Sequence, residues 1–392
     1  MTVAGPARHH PDRVRRLEWH EPGVTMPEVV SELTRMHATL GRHGRDPGDD
    51  SHPHPRNCVM NLVAVVPDAA AVDRVERVGR DLSAQHPLRL LTLQLEEAHN
   101  VDRLDAWIST EAHELPGGMP IQPEMVRLHV TGTGAAEVET LVEPLLVSDV
   151  PVFLWWLGTP PTSAASFRRL LELVEVLMVD SASFERPFVT TLELADVAPT
   201  IESGIILADL QWARLHAWRE LLAQVFTPLE RQAFLHGIGA VGVDYVGEGR
   251  GNRVAAALLT GWVASRLGWR LVRAAAGQGG IVVAHYEHRG RPLEVAFRSV
   301  EASELAEGEV SAIRVEASAR ATTFDLELVR DPERRSRVHT RLRIGELEAL
   351  EEWRPIDTPA EAELLVELVV QRRDAVYAEA LEQAAELLRA FR

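Results

Sequence analysis

The sequence predicts a mixed α/β protein in two parts: a mostly parallel α/β sheet layer, then an α+β domain with an antiparallel meander and a long C-terminal helix. Between residues 56 and 195, short apolar runs alternate with helical stretches, which is typical of strands covered on both faces. After residue 269, closely spaced strand-like segments predict the meander. We therefore divide the 392 residues into a flexible segment with a short helix (1–55), an α/β domain (56–195) and an α+β domain (196–392).

The elements of the first half follow from the spacing of apolar residues. Helical spacing predicts helices over 26–40, 72–82, 138–147 and 167–174. Pro144 should end or bend the third of these helices. The segment 42–55 is rich in Pro, Gly, Asp and His and predicts a loop. Continuous or alternating apolar residues predict strands over 58–66, 90–95, 105–113, 125–131, 150–158 and 176–180.

The second half begins with helices and continues with strands. One strong helix is predicted over 209–226 and a second over 251–269, with a short strand at 241–246 between them. The meander is predicted from strand-like segments at 269–275, 280–287, 292–300, 309–319, 322–330 and 336–343. The run 360–391 carries an imperfect apolar stripe and predicts the long C-terminal helix, through which a homo-oligomer could also form.

Charge and cysteine content exclude several classes of function. The chain has 41 basic and 58 acidic residues, a net charge of −17, which opposes binding to nucleic acid or an anionic membrane. Every basic residue is arginine, so a phosphate loop or a Schiff base that needs lysine is excluded. Cys58 is the single cysteine, which excludes an intramolecular disulfide. Because no apolar run resembles a signal peptide or a membrane span, we expect a cytoplasmic protein.

Motifs for catalysis are weak. Gly237 to Gly242 matches G-x-G-x-x-G, but it follows helical sequence and leads into a strand, the reverse of what a dinucleotide site requires. His285 and His288 lack the helical spacing of a zinc protease. We therefore predict no catalytic residues, no metal site and no cofactor.

Tryptophan and arginine stand out in the 209–226 helix. A 3.6-residue projection places Trp212, Trp218 and Arg219 on one arc, and Asp209 is a natural N-cap. One reading is a tryptophan core with an internal Arg–acid pair; the other is a surface that contacts a partner. The candidate partner-binding residues are Trp156, Asp209, Trp212, Arg214, Trp218 and Arg219.

A rival site lies where two predicted strands end. Gly158 and the pair Asp180 and Ser181 follow apolar strands, and ligands bind at the carboxyl ends of strands in open α/β sheets. With Arg89, these residues form a candidate ligand edge for a small anion such as a sugar phosphate. This alternative predicts a sensor or an enzyme.

Five sequence blocks resemble a known family. They are HPLR (86–89), DVPVFLWWLG (149–158), VDSASF (179–184), DLQWARLHAWRELLAQVF (209–226) and LLTGWVASRLGW (258–269). In order and spacing they resemble the OpcA family of glucose-6-phosphate dehydrogenase assembly proteins, over about residues 56–300.

This resemblance implies a non-enzymatic partner protein. It would bind glucose-6-phosphate dehydrogenase, favour its active oligomer and so support the oxidative pentose phosphate pathway. Cyanobacterial members imply thiol-based redox control, but Cys58 alone cannot form an intramolecular switch, so that property is not carried over.

Overall fold

The computed structural model describes residues 15–43, 58–112, 123–197, 204–247, 251–276, 281–302, 304–357, 359–371 and 374–391. The chain divides into two compact units. Unit 1 comprises residues 1–157 and 163–177, and unit 2 comprises 158–162 and 178–392. The domain limits predicted from the sequence stay a prediction, and the loop predicted over 42–55 lies, from residue 44 onward, outside the described residues.

Unit 1 is built around a sheet with helices beside it. Its strands are β1 (Arg15–Pro22), β2 (Met60–Val66), β3 (Leu88–Glu96), β4 (Arg103–Ala112), β5 (Glu124–Thr131), β6 (Val152–Trp156) and β7 (Val176–Val179), the last of which continues into unit 2. Its helices are α1 (Met26–His43), α2 (Ala69–Ser83), α3 (Val138–Val142) and α4 (Ala165–Leu171). The predicted helix over 138–147 ends at Val142, and a 3-10 turn that contains Pro144 follows.

The sheet of unit 1 is mostly parallel, as predicted. Its order is β1-β4-β5-β3-β2-β6-β7. β2 pairs in parallel with β3 and β6, and β3 pairs in parallel with β5. All of β2 is buried, which explains its apolar sequence. β1 was not predicted, because this strand pairs antiparallel with β4 and its side chains are half-buried or exposed.

Unit 2 combines seven helices with a second sheet in the described part of the chain. The helices are α5 (Pro187–Val197), α6 (Leu210–Arg214), α7 (His216–Val225), α8 (Leu229–Gln232), α9 (Val254–Leu267), α10 (Glu361–Gln371) and α11 (Ala375–Ala390). One strand, β8 (Ile206–Asp209), is not part of the second sheet. The strands of the second sheet are β9 (Ile238–Val246), β10 (Arg270–Ala276), β11 (Val282–His288), β12 (Arg291–Val300), β13 (Val310–Ala319), β14 (Thr322–Arg330), β15 (Arg337–Ile344) and β16 (Leu350–Pro355). α5, β8 and β16 were not predicted.

The second sheet is almost entirely antiparallel, and its order differs from a simple meander. The order is β10-β11-β12-β9-β13-β14-β15-β16, so β9 lies in the centre and pairs in parallel with β12. Along β11 and β14, buried residues alternate with less buried ones, so one face of the sheet is buried and the other is open. The buried face shares one hydrophobic core with α7, α9 and α11.

Two predicted helices are each divided in the structure. The helix predicted over 209–226 is interrupted at Leu215, whose N–H is shared between the carbonyls of Gln211 and Trp212. The run 360–391 contains α10 and α11, because Asp374 caps the start of α11 by accepting hydrogen bonds from the next turn. The C-terminal helix is thus confirmed, but its apolar face lies in the core of unit 2 and is not free to bind a second copy. Among the described residues, no helix is long and apolar enough to span a membrane.

Candidate functional site

Five polar residues of unit 2 form a network that we call the strand-end cluster: Asp180, Ser181, Asp209, Arg214 and Asn252. Asp180 and Ser181 follow β7, Asp209 ends β8, Arg214 lies on α6, and Asn252 precedes α9. The sequence analysis had assigned the first two to a ligand edge and the next two to a partner surface. The structure brings all four together and adds Asn252.

Asp209 is the buried centre of the strand-end cluster. It is 1% exposed and accepts hydrogen bonds from the Ser181 amide (3.0 Å), the Ser181 hydroxyl (2.6 Å) and the Gln211 amide (2.9 Å). The bond from Gln211 makes Asp209 the N-cap of α6. Burial, reinforced by the charge of Asp180, raises the pKa of Asp209 to about 6, although the hydrogen bonds from Ser181 oppose the shift.

The remaining members of the strand-end cluster also have hydrogen-bond partners within the protein. Arg214 makes a bidentate ion pair with Asp180, at 2.7 and 2.8 Å. The side-chain amide of Asn252 donates to the Ser181 carbonyl (3.0 Å), while its oxygen accepts from the Val254 amide (3.0 Å). The network therefore fixes the starts of α6 and α9 beside the end of β7. The Ser181 hydroxyl and the Arg214 guanidinium are thus each already bonded to a carboxylate of the cluster.

Two other residues of the predicted ligand edge have separate structural explanations. Gly158 has a φ of +76°, a left-handed conformation that favours glycine. Arg89, in unit 1, is 2% exposed, pairs with Glu124 (2.8 Å from Nε) and donates to the Leu145 carbonyl. The expectation that the Arg89 guanidinium is available to an anion is therefore wrong.

The tryptophans of α6 and α7 lie inside unit 2. Trp212 and Trp218 are each 2% exposed, and the Trp212 indole N–H donates to Asp374 (2.7 Å). Arg219 stacks on the Trp212 ring, 3.6 Å from its centroid. The prediction that these indoles contact a partner is wrong, because they form part of the core, which was the alternative reading. Trp156 is half-buried in unit 1 against Phe167 (5.1 Å), and its role stays a prediction.

Two further sequence features have local explanations. Gly237 closely approaches the Ser318 carbonyl, and the residues after it form β9, so the glycine pattern leads into a strand. Burial raises the pKa of the Cys58 thiol, which donates a hydrogen bond to the Met60 carbonyl (3.1 Å). Among the described residues, no group of three His, Cys, Asp or Glu side chains is placed to hold a metal ion.

The sequence analysis missed a cavity of about 210 Å³ beside α6. Its lining includes Arg214 and Trp218, together with Arg330 at the end of β14 and Arg335 in the following loop. Neither Arg330 nor Arg335 is conspicuous in a sequence with many arginines. More than a hundred residues separate them from α6, and only the fold brings them close to it. The signal available in the sequence was the alternation along β14, which places Arg330 on the same face as the apolar Leu326 and Leu328.

The fold and the site together define a class: a mixed α/β protein in two units whose prominent polar cluster is satisfied internally. Two family models match the chain. One, described as the glucose-6-phosphate dehydrogenase subunit N-terminal domain, matches residues 79–196, and the other, described as the C-terminal domain of that subunit, matches residues 205–381. The chain belongs to this family, OpcA, which confirms the resemblance seen in the sequence.

Curated relatives carry the name OxPP cycle protein OpcA. The relative from Nostoc punctiforme is 36% identical over 149 residues, which is 38% of this chain and 31% of the relative. The relative from Synechocystis is 31% identical over 196 residues, 49% of this chain and 39% of the relative. The chain thus spans about a third of the length of the curated relatives it matches. A solved oxidoreductase from Sinorhizobium meliloti aligns with 85% of this chain and 96% of its own at 10% identity and a TM-score of 0.48, which has no bearing on activity.

Proposed function

We propose that the chain is a non-enzymatic partner that binds glucose-6-phosphate dehydrogenase and favours its active oligomer, in support of the oxidative pentose phosphate pathway. The observation that carries this proposal is the family match, which extends over both units and is described in terms of that dehydrogenase. The cytoplasmic location stays a prediction that accompanies it.

The strand-end cluster supports a partner role over the rival sensor or enzyme. A catalytic or anion-binding edge at Gly158 and Asp180 needs free polar groups that converge on a ligand. Here Arg214 is committed to Asp180, and the Ser181 hydroxyl is committed to Asp209. We therefore do not retain a small-anion site at that edge.

Activation of this kind requires differential affinity. A partner can shift an oligomer equilibrium only by as much as it prefers the active conformer over the inactive one. A preference of about 3 kcal/mol changes the ratio of the two forms by roughly a hundredfold. An interface of ordinary size, about 1,600 Å² in total, can supply such a preference.

The experiment mixes the purified chain with the glucose-6-phosphate dehydrogenase of the same organism. We expect the two to co-elute in size-exclusion chromatography with light scattering, with a larger dehydrogenase oligomer and a higher rate of NADP⁺ reduction. Separate elution together with an unchanged rate would disprove the proposal. The chain alone, incubated with glucose 6-phosphate and NADP⁺, is the control for activity of its own.

A surface variant tests whether the open face of the second sheet takes part. Trp353 on β16 is 52% exposed and lies beside His339 and Arg337, and exposed tryptophan and arginine are typical interface anchors. If this face binds, Trp353→Ala should weaken binding by about tenfold. Leu347→Ala is the matched control, because Leu347 is 71% exposed and precedes the same strand. Equal binding by both variants would place the contact on another surface.

A further inference from the structure

The 210 Å³ cavity of unit 2 is lined by three arginines, Arg214, Arg330 and Arg335, and by two acidic residues, Glu309 and Asp357. Trp218 and Leu215 give it an apolar wall. The cavity is distinct from the ligand edge predicted from the sequence. At about 30 Å³ per molecule of liquid water, it has room for a phosphate or carboxylate group with several further heavy atoms.

Two of the three arginines have carboxylate partners. Arg214 is neutralised by its bidentate pair with Asp180. Arg335 donates to both carboxylate oxygens of Glu309, at 3.0 and 3.2 Å. These two arginines contribute donors and a polar rim to the cavity, but little unbalanced charge.

Arg330 differs from both. It is 8% exposed, and within the described part of the chain no carboxylate lies within ion-pair distance of its guanidinium. One terminal nitrogen donates to the Arg335 carbonyl (3.3 Å), while the buried Nε–H has no hydrogen-bond acceptor among the described residues. The neighbouring carboxylate of Asp331 is taken by Arg337 and by the Glu333 amide.

A buried guanidinium without a direct ion pair is costly, because the cation loses its hydration. For Arg330, the attraction of the more distant Glu309 carboxylate is opposed by the charge of Arg335. Burial accordingly lowers the pKa of Arg330, although arginine stays charged at neutral pH. An oxyanion in the cavity would give Arg330 a direct ion-pair partner, and guanidinium groups bind phosphate and carboxylate through short, charge-assisted hydrogen bonds.

We propose that this cavity binds a small anion that bears a phosphate or carboxylate group, with Arg330 as its principal ligand. Arg335 and Gln211 line the same space. Because the site rests on the charge of Arg330, it does not depend on the binding of a dehydrogenase.

The test measures binding by isothermal titration calorimetry and by thermal shift on the full chain. The probes are inorganic phosphate, glucose 6-phosphate and citrate, at constant ionic strength. We expect at least one probe to bind and to raise the melting temperature of the unmodified chain. A phosphate ester that binds more tightly than inorganic phosphate identifies a metabolite as the source of the anion, and the reverse order identifies free phosphate. A preference for citrate identifies a carboxylate ligand.

Three variants locate the site. Arg330→Met should weaken binding by about 10- to 100-fold. Arg343→Met removes an exposed arginine elsewhere on the second sheet and should bind like the unmodified chain. Arg335→Gln changes a half-exposed residue of the lining and should weaken binding several-fold. This variant tests the site independently if Arg330→Met does not fold. Absence of binding by all three probes at 10 mM, or equal affinity in the Arg330 and Arg343 variants, would overturn the proposal.

Discussion

Two buried arginines, one in each unit, differ in the partners that the fold gives them. Arg89 of unit 1 is 2% exposed and Arg330 of unit 2 is 8% exposed. Arg89 meets the buried carboxylate of Glu124, which His37 also approaches (3.2 Å). Arg330 meets one backbone carbonyl and the face of Trp218, 5.5 Å from the ring centroid. Both arginines are thus buried, but only Arg89 has a carboxylate within ion-pair distance among the described residues.

This difference in partners distinguishes a structural arginine, Arg89, from a candidate ligand-binding arginine, Arg330. A buried ion pair is held by its own attraction and hydrogen bonds, so loss of either partner leaves a stranded charge. Arg330 has no direct ion pair among the described residues, so its removal leaves no buried carboxylate without a partner. The two positions should thus respond differently to the same substitution.

The largest expected effect is at Arg89. Arg89→Met leaves Glu124 buried without its guanidinium partner and should lower the free energy of unfolding by about 3–5 kcal/mol. Urea denaturation followed by circular dichroism measures this loss. The double variant Arg89→Met/Glu124→Leu removes both charges and should recover most of it. A single variant within about 1 kcal/mol of the unmodified chain would contradict the structural role.

The sequence could place Arg89 but not its partner. The HPLR block locates this arginine after a helix and at the start of a strand, and β3 begins there. Glu124 lies 35 residues away, and only the parallel register of β3 with β5 sets the two residues opposite each other. The sequence analysis assigned Arg89 to a ligand edge, because the sequence does not show that Glu124 on the neighbouring strand already pairs with this arginine.

Strands buried on both faces were predicted well, and strands at sheet edges were not. β2 and β6 show their burial directly in apolar sequence. β1 and β16 are held by backbone pairing with one neighbour and their described side chains are half-buried or exposed, so the apolar signal in their sequence is weak. The insertion of β9 between β12 and β13 likewise depends on long-range pairing that local patterns do not contain.

The second prediction, of intermediate size, concerns how the strand-end cluster makes the free energy of unfolding depend on pH. The folded-state pKa of Asp209 is about 6, above its unfolded value near 3.8, so the folded chain binds more protons between these values. Stability contributed by protonated Asp209 is therefore present at low pH and lost as pH rises through about 6. Between about pH 4.5 and pH 7.5, this titration should lower the free energy of unfolding of the unmodified chain by about 2 kcal/mol. The Asp209→Asn variant should not show that decrease.

The measurement is the difference in free energy of unfolding between variant and unmodified chain across that pH range. Asp325→Asn is the matched control for the change from aspartate to asparagine, because this aspartate on β14 is exposed. Parallel profiles for Asp209→Asn and the unmodified chain would show that Asp209 titrates normally and that its burial is compensated within the strand-end cluster.

The smallest expected effect is the sharpest test of the contrast between the two arginines. In buffer without phosphate or carboxylate, Arg330→Met should change the free energy of unfolding by less than about 1 kcal/mol, or raise it. The reason is that the substitution removes a buried cation that has no ion-pair partner among the described residues, and it leaves no buried carboxylate unpaired. Urea denaturation of Arg89→Met and Arg330→Met under identical conditions gives the comparison directly. A loss at Arg330 as large as that at Arg89 would mean that the protein itself compensates this charge, and the cavity would then need no anion.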